Sequence, residues 1–269
     1  MQKILNTTGV SMQNKDSAAS YFRSLREQII AAFEALDSTP FVRTKWNHHS
    51  GGGGEMGVIR GTVFEKGAVN FSAVEGTKLP MQEKETPFFA TGVSLITHMM
   101  NPLMPTVHMN VRYIETKEKW WFGGGYDLTP MGFPNDDDTK HFHSVAQEAI
   151  GEDLYSKWRE EASEYFYIKH RKKERGVGGI FFDKYAPNTF EEGLSLVQSV
   201  GDSFLPSILP IYERKKDLPY SKEEKIKQNM LRAHYVEFNL IYDRGTKFGF
   251  QSGGNPEAIL CSMPPTATW

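Results

Sequence analysis

Polar side chains recur at every second position between residues 106 and 116, and apolar side chains fill the positions between them. The polar set is His108, Asn110 and Arg112, and the apolar set is Val107, Met109, Val111 and Tyr113. In an extended strand, alternate side chains share one face. A face that only meets water more often carries Lys, Glu, Thr and Ser, whereas an imidazole, an amide and a guanidinium suit a planar, anionic or hydrogen-bonding ligand. The pattern therefore predicts a half-buried strand whose polar face is the wall of a binding site.

A second reactive segment follows this strand. Aromatic residues at 120–122 run into a glycine triplet at 123–125, and a single carboxylate, Asp127, comes next. The two segments predict a hairpin, with Asp127 where the chain turns. Aromatic rings, bare backbone and a carboxylate would then lie within reach of His108 and Arg112.

Helix signals occur in four parts of the chain, as apolar residues at three- and four-residue spacing. The acidic run 136–138 is typical of a helix N-terminus and lacks the turn glycine of a calcium loop. The first predicted helix begins at a cap at Asp16 or Ser17 and ends before Pro40, and the second runs from 136 to Lys173. The third runs from Phe190 to Ile208 and is disturbed at Pro206. The fourth begins at the capping box of Ser221 and Glu224.

Strand patterns fill most of the remaining chain. We predict a hairpin within 58–76, a strand over 87–100 that carries Ser94 and His98, a strand over 177–185, a hairpin within 234–251 turning at Asp243–Gly245, and a last strand over 257–263. Strands cluster in runs with short turns and helices come in separate blocks. This order favours an α+β fold with an antiparallel sheet covered by helices, as one domain over residues 1–269.

The glycine run at 51–54 formally completes a dinucleotide-binding fingerprint at Gly52, Gly54 and Gly57. That fingerprint must open a helix, whereas the β-branched and glycine-rich segment that follows predicts a hairpin. We therefore expect the run to make a tight turn or to let the backbone approach a flat ligand.

Composition excludes several classes of protein. The 269 residues include 31 Lys plus Arg against 33 Asp plus Glu, so no global basic field suggests nucleic acid or an anionic membrane. The single cysteine, Cys261, excludes an internal disulfide framework. The sequence shows no apolar run typical of a signal peptide or a membrane span, so a cytoplasmic protein is expected.

Several long blocks resemble the oxygen-dependent coproporphyrinogen III oxidases of haem synthesis. The blocks are WNHHSGGGG at 46–54, GVSLITHMMNPLMPTVHMNVRYIE at 92–115, WWFGGGYDLTP at 120–130, YFYIKHRKKERGVGGIFFD at 165–183, and the segment 232–265. The resemblance implies a broad antiparallel sheet between helical layers (α-β-α) in a protein that forms a homodimer, through a segment that begins near Tyr235.

The resemblance also implies a reaction. Two propionates of coproporphyrinogen III would become vinyl groups, with O2 consumed and CO2 and H2O2 released, and with no flavin, haem or nicotinamide. The reduced tetrapyrrole is electron-rich and could itself supply the electrons. The protein would then bind, orient and handle protons.

Site residues follow from the matched positions. His108 matches the proton donor, Arg112 would pair with a propionate, and Asp127 would accept hydrogen bonds from the pyrrole N–H groups. The matched substrate contacts are Ser94, Asn110, Val111, Arg112, Gly253 and Gly254. Asn255 follows as a further expected substrate contact. Many relatives have arginine there, whereas asparagine can donate hydrogen bonds but cannot neutralise a carboxylate.

A metal site is a further possibility that the resemblance raises. His98, His108, His143 and His170 match positions assigned as divalent-cation ligands in bacterial members, although their spacing is not diagnostic. Two alternative functions stay open from the residues alone. They are a tetrapyrrole carrier without catalysis and a histidine-based metallohydrolase.

Overall fold

The computed structural model describes residues 2–80 and 82–269, with side chains described from Met12 onward. The strands are β1 (Val42–Asn47), β2 (Gly52–Ile59), β3 (Phe64–Gly76), β4 (Phe88–Met99), β5 (Thr106–Thr116), β6 (Trp120–Thr129), the short β7 (Tyr167–Ile168) and β8 (Lys173–Glu174), and β9 (Gly179–Tyr185). The helices are α1 (Gln2–Asp37), α2 (Asp136–Ile150), α3 (Glu152–Tyr165), α4 (Phe190–Lys215), α5 (Lys222–Ile241), α6 (Arg244–Gln251) and α7 (Pro256–Leu260), with a 3-10 turn at Lys169–Arg171.

Seven of these strands form one large sheet in the order β1-β2-β3-β4-β5-β6-β9. Every neighbouring pair is antiparallel. The strands follow each other as hairpins up to β6, and β9 then adds to the far side of β6. The antiparallel sheet predicted from the clustered strand signals is confirmed.

The alternation in β5 gives the sheet two different faces. Its side chains at 107, 109, 111 and 113 are fully buried in the main core, whereas His108, Asn110 and Arg112 lie half-buried on the opposite face. A fully buried apolar side chain of this size stabilises the fold by about 1.5 to 3 kcal/mol. The core face therefore fixes the register that presents the three polar groups on the other side.

Helices α1 to α4 cover the core face. Phe22, Ile29 and Phe33 of α1 pack in the same cluster as Val197 and Phe204 of α4. By length and hydropathy α4 could also cross a membrane, but its buried residues belong to this core, as in the central helix of a globular protein. Helices α5 to α7 cover the other face, where Tyr235 and Cys261 pack with Ala68 and Ile96 of the sheet. The α-β-α arrangement is thus confirmed.

The C-terminal region differs from the predicted strands. Residues 234–251 form the end of α5 and α6, and residues 256–260 form α7. The apolar alternation here also satisfies a helix, because Tyr235 and Phe238 are three positions apart and both are buried. The helix that begins at the capping box of Ser221 meets no breaker before Asp243, which then caps α6 by accepting from the Thr246 amide. The prediction of strands was wrong because helical continuity outweighs local β propensity.

Several element boundaries also differ. Helix α1 runs through Asp16, which therefore does not cap it. The helical stretch predicted up to Lys173 is broken at Gly151, where φ is 79°, and it ends at Tyr165. Helix α4 continues through Pro206. The acidic run does lie in the first turn of α2. Of the glycine run, Gly51 lies in the tight turn between β1 and β2 with a φ of 124°, whereas residues 52–54 belong to β2.

Candidate active site

A cavity of about 580 Å³ lies between the polar face of the sheet and helices α5 to α7. His108, Asn110 and Arg112 of β5 line it from the sheet, together with Ser94 of β4. The predicted site wall therefore lines this cavity.

The floor of the cavity is a row of cross-strand partners. Asn70 pairs with Ser94, Ser94 with Asn110, and Asn110 with Gly125, on four successive strands. Neighbouring strands are about 4.8 Å apart, so the three polar side chains span roughly 10 Å. Gly125 has a φ of 137°, and a Cβ there would lie 2.0 Å from the carbonyl oxygen of Ile180. The close approach of β9 therefore requires glycine at position 125, which leaves bare backbone beside Asn110 on the cavity wall.

His108 is held by a buried ion pair beneath the cavity. Its Nδ1 lies 3.0 Å from Oδ1 of Asp127 on the facing strand. Arg175 donates from Nη2 to Oδ1 of Asp127 over 2.5 Å and from Nε to Oδ2 over 3.1 Å. The guanidinium of Arg175 in turn lies over the rings of Phe166 and Phe238. Both charged side chains are only 2% exposed.

This arrangement settles the tautomer of His108. Burial by itself would raise the pKa of Asp127, but the positive charge of Arg175 and the hydrogen bond from His108 outweigh it, so the pKa lies below its ordinary value. An ionised carboxylate only accepts hydrogen bonds, so Nδ1 of His108 must donate. Nε2 is then the nitrogen that remains for the cavity, where it can accept or deliver a proton.

The structure corrects the roles predicted for Asp127. The residue lies within β6, opposite His108, and not at a turn. Its carboxylate is only 2% exposed, is covered by the buried Arg175, and does not line the cavity. It therefore cannot meet the pyrrole N–H groups of a bound tetrapyrrole, and its place is to orient His108.

Arg112 lies over the bare backbone of Gly123, its cross-strand partner. Its Nη1 donates to Oδ1 of Asn110 over 2.7 Å, and its Nη2 donates to Oδ1 of Asp183 over 2.8 Å. Burial would raise the pKa of Asp183, but Arg112 and Arg244 hold it below its ordinary value. The guanidinium is thus fixed in direction, and its remaining N–H donors are available to a ligand carboxylate.

Asp243 is the second carboxylate that lines the cavity. It accepts hydrogen bonds from the Tyr165 hydroxyl over 2.8 Å and from the Thr246 amide over 2.6 Å. Burial would raise its pKa, yet the nearby His108 and these donors lower it, so Asp243 is ionised at neutral pH. Tyr165 itself stacks on Phe181 of β9 with ring centroids 4.0 Å apart.

The other predicted substrate contacts divide into two groups. Ser94, Gly254 and Asn255 line the cavity. Asn255 is also the N-cap of α7, where its Oδ1 accepts from the Glu257 amide over 2.9 Å. Val111 directs its side chain into the core on the opposite face and does not line the cavity. Gly253 is not part of the cavity wall; its φ of 75° turns the chain against the ring of His49.

The four histidines matched to cation ligands do not converge. His98 is bonded to the Ser262 carbonyl oxygen, His143 to the Val177 carbonyl oxygen and the Tyr155 hydroxyl, and His170 to Tyr242 and Glu237. His108 is bonded to Asp127. No group of three or more potential ligands gathers among the described residues. The proposed ligand set does not fit a shared metal site within one chain.

Four charged residues of this site were not predicted from the sequence. They are Arg175, Asp183, Asp243 and Arg244. Asp183 carried a usable signal, because it is the lone carboxylate in the apolar strand over 179–185. Asp243 was obscured by its assignment to a turn.

Comparisons with known proteins identify the family of this chain. The sequence profile described as "Coproporphyrinogen III oxidase" matches residues 17–269. A curated relative named "Oxygen-dependent coproporphyrinogen-III oxidase" from Rickettsia bellii (strain OSU 85-389) is 43% identical and covers 97% of this chain and 100% of its own length. The protein of that name from Rickettsia africae (strain ESF-5) is also 43% identical, over 95% of this chain and 98% of its own length.

Proposed function

The chain belongs to the coproporphyrinogen III oxidase family, and we propose that the cavity between the sheet and helices α5 to α7 is where it carries out the family's reaction. That reaction is the oxidative decarboxylation of two propionates of coproporphyrinogen III in haem synthesis. At each of the two, R–CH2–CH2–COOH and O2 become R–CH=CH2, CO2 and H2O2. Two electrons pass from the substrate to oxygen each time.

One observation carries the proposal for the site. A proton carrier (His108), a carboxylate-binding cation (Arg112) and an ionised carboxylate (Asp243) line the same cavity. These are the groups that a reduced tetrapyrrole with propionate side chains requires. Because the substrate supplies the electrons itself, we propose that no organic cofactor takes part.

Arg112 is assigned to the propionate. Asn110 and Asp183 occupy one N–H on each of its terminal nitrogens and hold the planar guanidinium still. A fixed guanidinium can form two parallel hydrogen bonds to a carboxylate, which sets the orientation of the propionate as well as its affinity. Such positioning is a large part of what an enzyme without a cofactor can contribute.

His108 is assigned to proton transfer. Formation of H2O2 from O2 takes up two protons for each propionate, and Nε2 of His108 is free to deliver one into the cavity. Asp127 accepts the hydrogen bond from Nδ1 and fixes the ring, while Arg175 keeps Asp127 ionised and in place. The buried pair therefore orients the imidazole without itself touching the substrate.

Asp243 is assigned to the pyrrole N–H groups, the role that Asp127 cannot fill. Its carboxylate lines the cavity on the side of the helices, facing the sheet. Several N–H donors converge at the centre of a tetrapyrrole, and one ionised carboxylate can accept more than one of them.

Turnover in air tests this function against its alternatives. The purified protein is mixed with coproporphyrinogen III with and without O2, and CO2 release and the divinyl product are measured. We expect both in air and neither without oxygen. Binding without turnover would indicate a carrier, and activity that is lost with chelator and restored by a cation would indicate a metal-dependent enzyme.

We also propose that the protein is a homodimer joined through the outer face of α5. The resemblance places the dimer segment after Tyr235, and the hairpin predicted there is wrong because that region is helical. Helix α5 instead exposes an apolar stripe of Ile226, Met230, Leu240 and Ile241, at spacings that share one helix face. Trp269, 75% exposed, donates to Glu237 on the same face. A second copy of this surface would bury it symmetrically.

A further inference from the structure

Lys184 has an unusual backbone conformation at the edge of the cavity. Its φ is 54°, in the left-handed region that glycine adopts freely and that other residues rarely adopt because their Cβ is crowded there. The side chain is exposed, and the residue lines the cavity. No packing requirement within the core explains a lysine here.

A β-bulge causes this conformation. On β9, Phe182 pairs with Gly124 and Tyr185 pairs with Phe122, so Asp183 and Lys184 together face the single residue Gly123. The extra residue lets β9 direct Asp183 to Arg112 and still present the next side chain at the cavity edge. Bulges often re-aim side chains next to active sites.

Lys184 also differs from the other cations of the cavity wall, because each of the others has an ion-pair or aromatic partner. Arg112 and Arg244 both contact Asp183, at 2.8 Å and 3.4 Å, and the Nζ of Lys119 lies 5.6 Å from the centroid of the Trp121 ring. Among the described residues that line the cavity, Lys184 is the lysine or arginine with neither a carboxylate nor an aromatic partner.

Its position separates it from the proton carrier. Arg112 lies four residues from His108 along β5, which is roughly 13 Å. Gly123 of β6 pairs with Arg112, and Lys184 lies on the other side of Gly123, on β9, so Lys184 is two strands away from Arg112. A carboxylate at Lys184 is therefore not the one that reacts beside His108.

We propose that Lys184 binds a propionate carboxylate of the substrate that is not being decarboxylated, and so sets the orientation of the macrocycle. The proposal rests on the proposed function for the nature of the substrate. It assigns a carboxylate-binding role to the bulge residue of β9. The strained backbone is explained if the ammonium group is needed at this edge of the cavity.

The test compares Lys184→Gln, Lys184→Gly and Lys184→Arg with Lys172→Gln. Lys172 is a matched control, since it is also exposed and left-handed, with a φ of 52°, but does not line the cavity. Oxidised coproporphyrin III serves as an inert tetracarboxylate probe, and its Kd is measured at low and high salt. Steady-state turnover of coproporphyrinogen III is measured in parallel.

We expect Lys184→Gln and Lys184→Gly to raise the probe Kd and the KM about three- to tenfold, with kcat unchanged and a weaker salt dependence, because one partly desolvated ion pair is lost. Lys184→Arg should retain affinity, and Lys172→Gln should match the wild type. Lys184→Gly should keep or raise the thermal midpoint, because glycine adopts this conformation without strain.

Wild-type affinity in both Lys184→Gln and Lys184→Gly would overturn the inference. So would a loss of kcat without a change in KM, or Lys184→Arg failing like Lys184→Gln. If the wild type binds the probe through Lys184 but does not turn over coproporphyrinogen, the proposed function fails while the carboxylate site stands. If the wild type turns over coproporphyrinogen but the Lys184 variants behave like the wild type, the proposed function stands while the carboxylate site at Lys184 fails.

Discussion

His108 and Asp127 face each other across two neighbouring antiparallel strands, and Nδ1 of the imidazole lies 3.0 Å from Oδ1 of the carboxylate. Because the strand register sets this contact, a change of one residue in the pairing would remove it. Arg175 completes the unit from below with two hydrogen bonds to the same carboxylate. The imidazole is thus positioned by the sheet and by a buried charge pair, on the wall of the cavity.

The first prediction concerns stability. Asp127→Asn should destabilise the fold by roughly 3 to 5 kcal/mol, because it leaves the buried Arg175 without its counter-charge. The pKa of Asp127 is lowered in the folded state, so its contribution is fully present above the unfolded pKa of about 3.9 and is lost as pH falls towards the folded value. Urea unfolding between pH 3 and 7 should therefore show a flatter acid limb in the variant.

Asp217→Asn is the control for this measurement, since Asp217 is exposed and has no ion pair in the described structure. It should unfold like the wild type at every pH. Wild-type stability of Asp127→Asn would mean that the buried pair does not hold this part of the sheet together.

The second prediction concerns proton transfer. His108→Ala should lower kcat by roughly a hundredfold or more, with a small effect on KM, if the imidazole moves a proton in the limiting step. His141→Ala is the control, because that histidine lies on α2, in the layer on the other side of the sheet, and bonds the Pro206 carbonyl oxygen. An unchanged kcat in His108→Ala would remove this residue from the chemistry.

The third prediction separates the two faces of β5. Arg112→Ala should lower kcat/KM by about thirty- to several-thousand-fold, which corresponds to roughly 2 to 5 kcal/mol for one partner of a partly buried charge pair. Val111→Ala should instead reduce stability by about 1 to 3 kcal/mol through a core cavity and leave both kinetic constants near their wild-type values. Steady-state kinetics and thermal unfolding of the two variants test this difference. If Val111→Ala lost activity in a stable protein while Arg112→Ala kept its kcat/KM, the assignment of the two faces of β5 would be wrong.

The strand β5 and the residues it presents could be predicted because period-two alternation depends only on local sequence. His108, Asn110 and Arg112 were found in this way, and the capping box at Ser221 located the start of α5. These features need no knowledge of distant parts of the chain.

The rest of the site depends on contacts between distant segments. Arg175 meets Asp127 from a loop 48 positions away, and Asp243 reaches the cavity only because α5 continues as a helix up to that residue. The segment 234–242 has apolar positions compatible with either a strand or a helix, so its own sequence does not decide between them. The contact with pyrrole N–H groups predicted for Asp127 failed for the same reason. Arg175, which is distant in sequence, pairs with its carboxylate and covers it.

The fourth prediction concerns the hydroxyl of Tyr165. Tyr165→Phe keeps the stack on Phe181 but removes the hydrogen bond to Asp243. The pKa of Asp243 should then rise towards its ordinary value, although His108 and the Thr246 amide still lower it. If substrate binding needs the ionised form, the acid limb of kcat/KM should move to higher pH by about one pH unit, the equivalent of one hydrogen bond to a charged group.

A pH profile distinguishes this effect from simple loss of packing, which would lower activity equally at every pH. Tyr155→Phe is a suitable control, because Tyr155 bonds His143 in the opposite layer. An acid limb that stays in place in Tyr165→Phe would show that Asp243 does not control binding through this hydroxyl.

The last prediction tests the dimer. Met230 is 53% exposed in the middle of the apolar stripe of α5, and a charge placed there would meet its own copy, or a neighbouring apolar side chain, across a two-fold interface. Met230→Glu should therefore convert the protein to a monomer at micromolar concentration while the fold is retained. Sedimentation measures the mass, and thermal unfolding at two protein concentrations checks that the concentration dependence of the wild type disappears.

Met12→Glu is the matched control, since Met12 is 64% exposed on α1 in the opposite helical layer, and it should remain a dimer. A wild-type protein that sediments as a stable, active monomer would overturn the proposal, and so would a Met230→Glu dimer, because the stripe would then have to serve another partner.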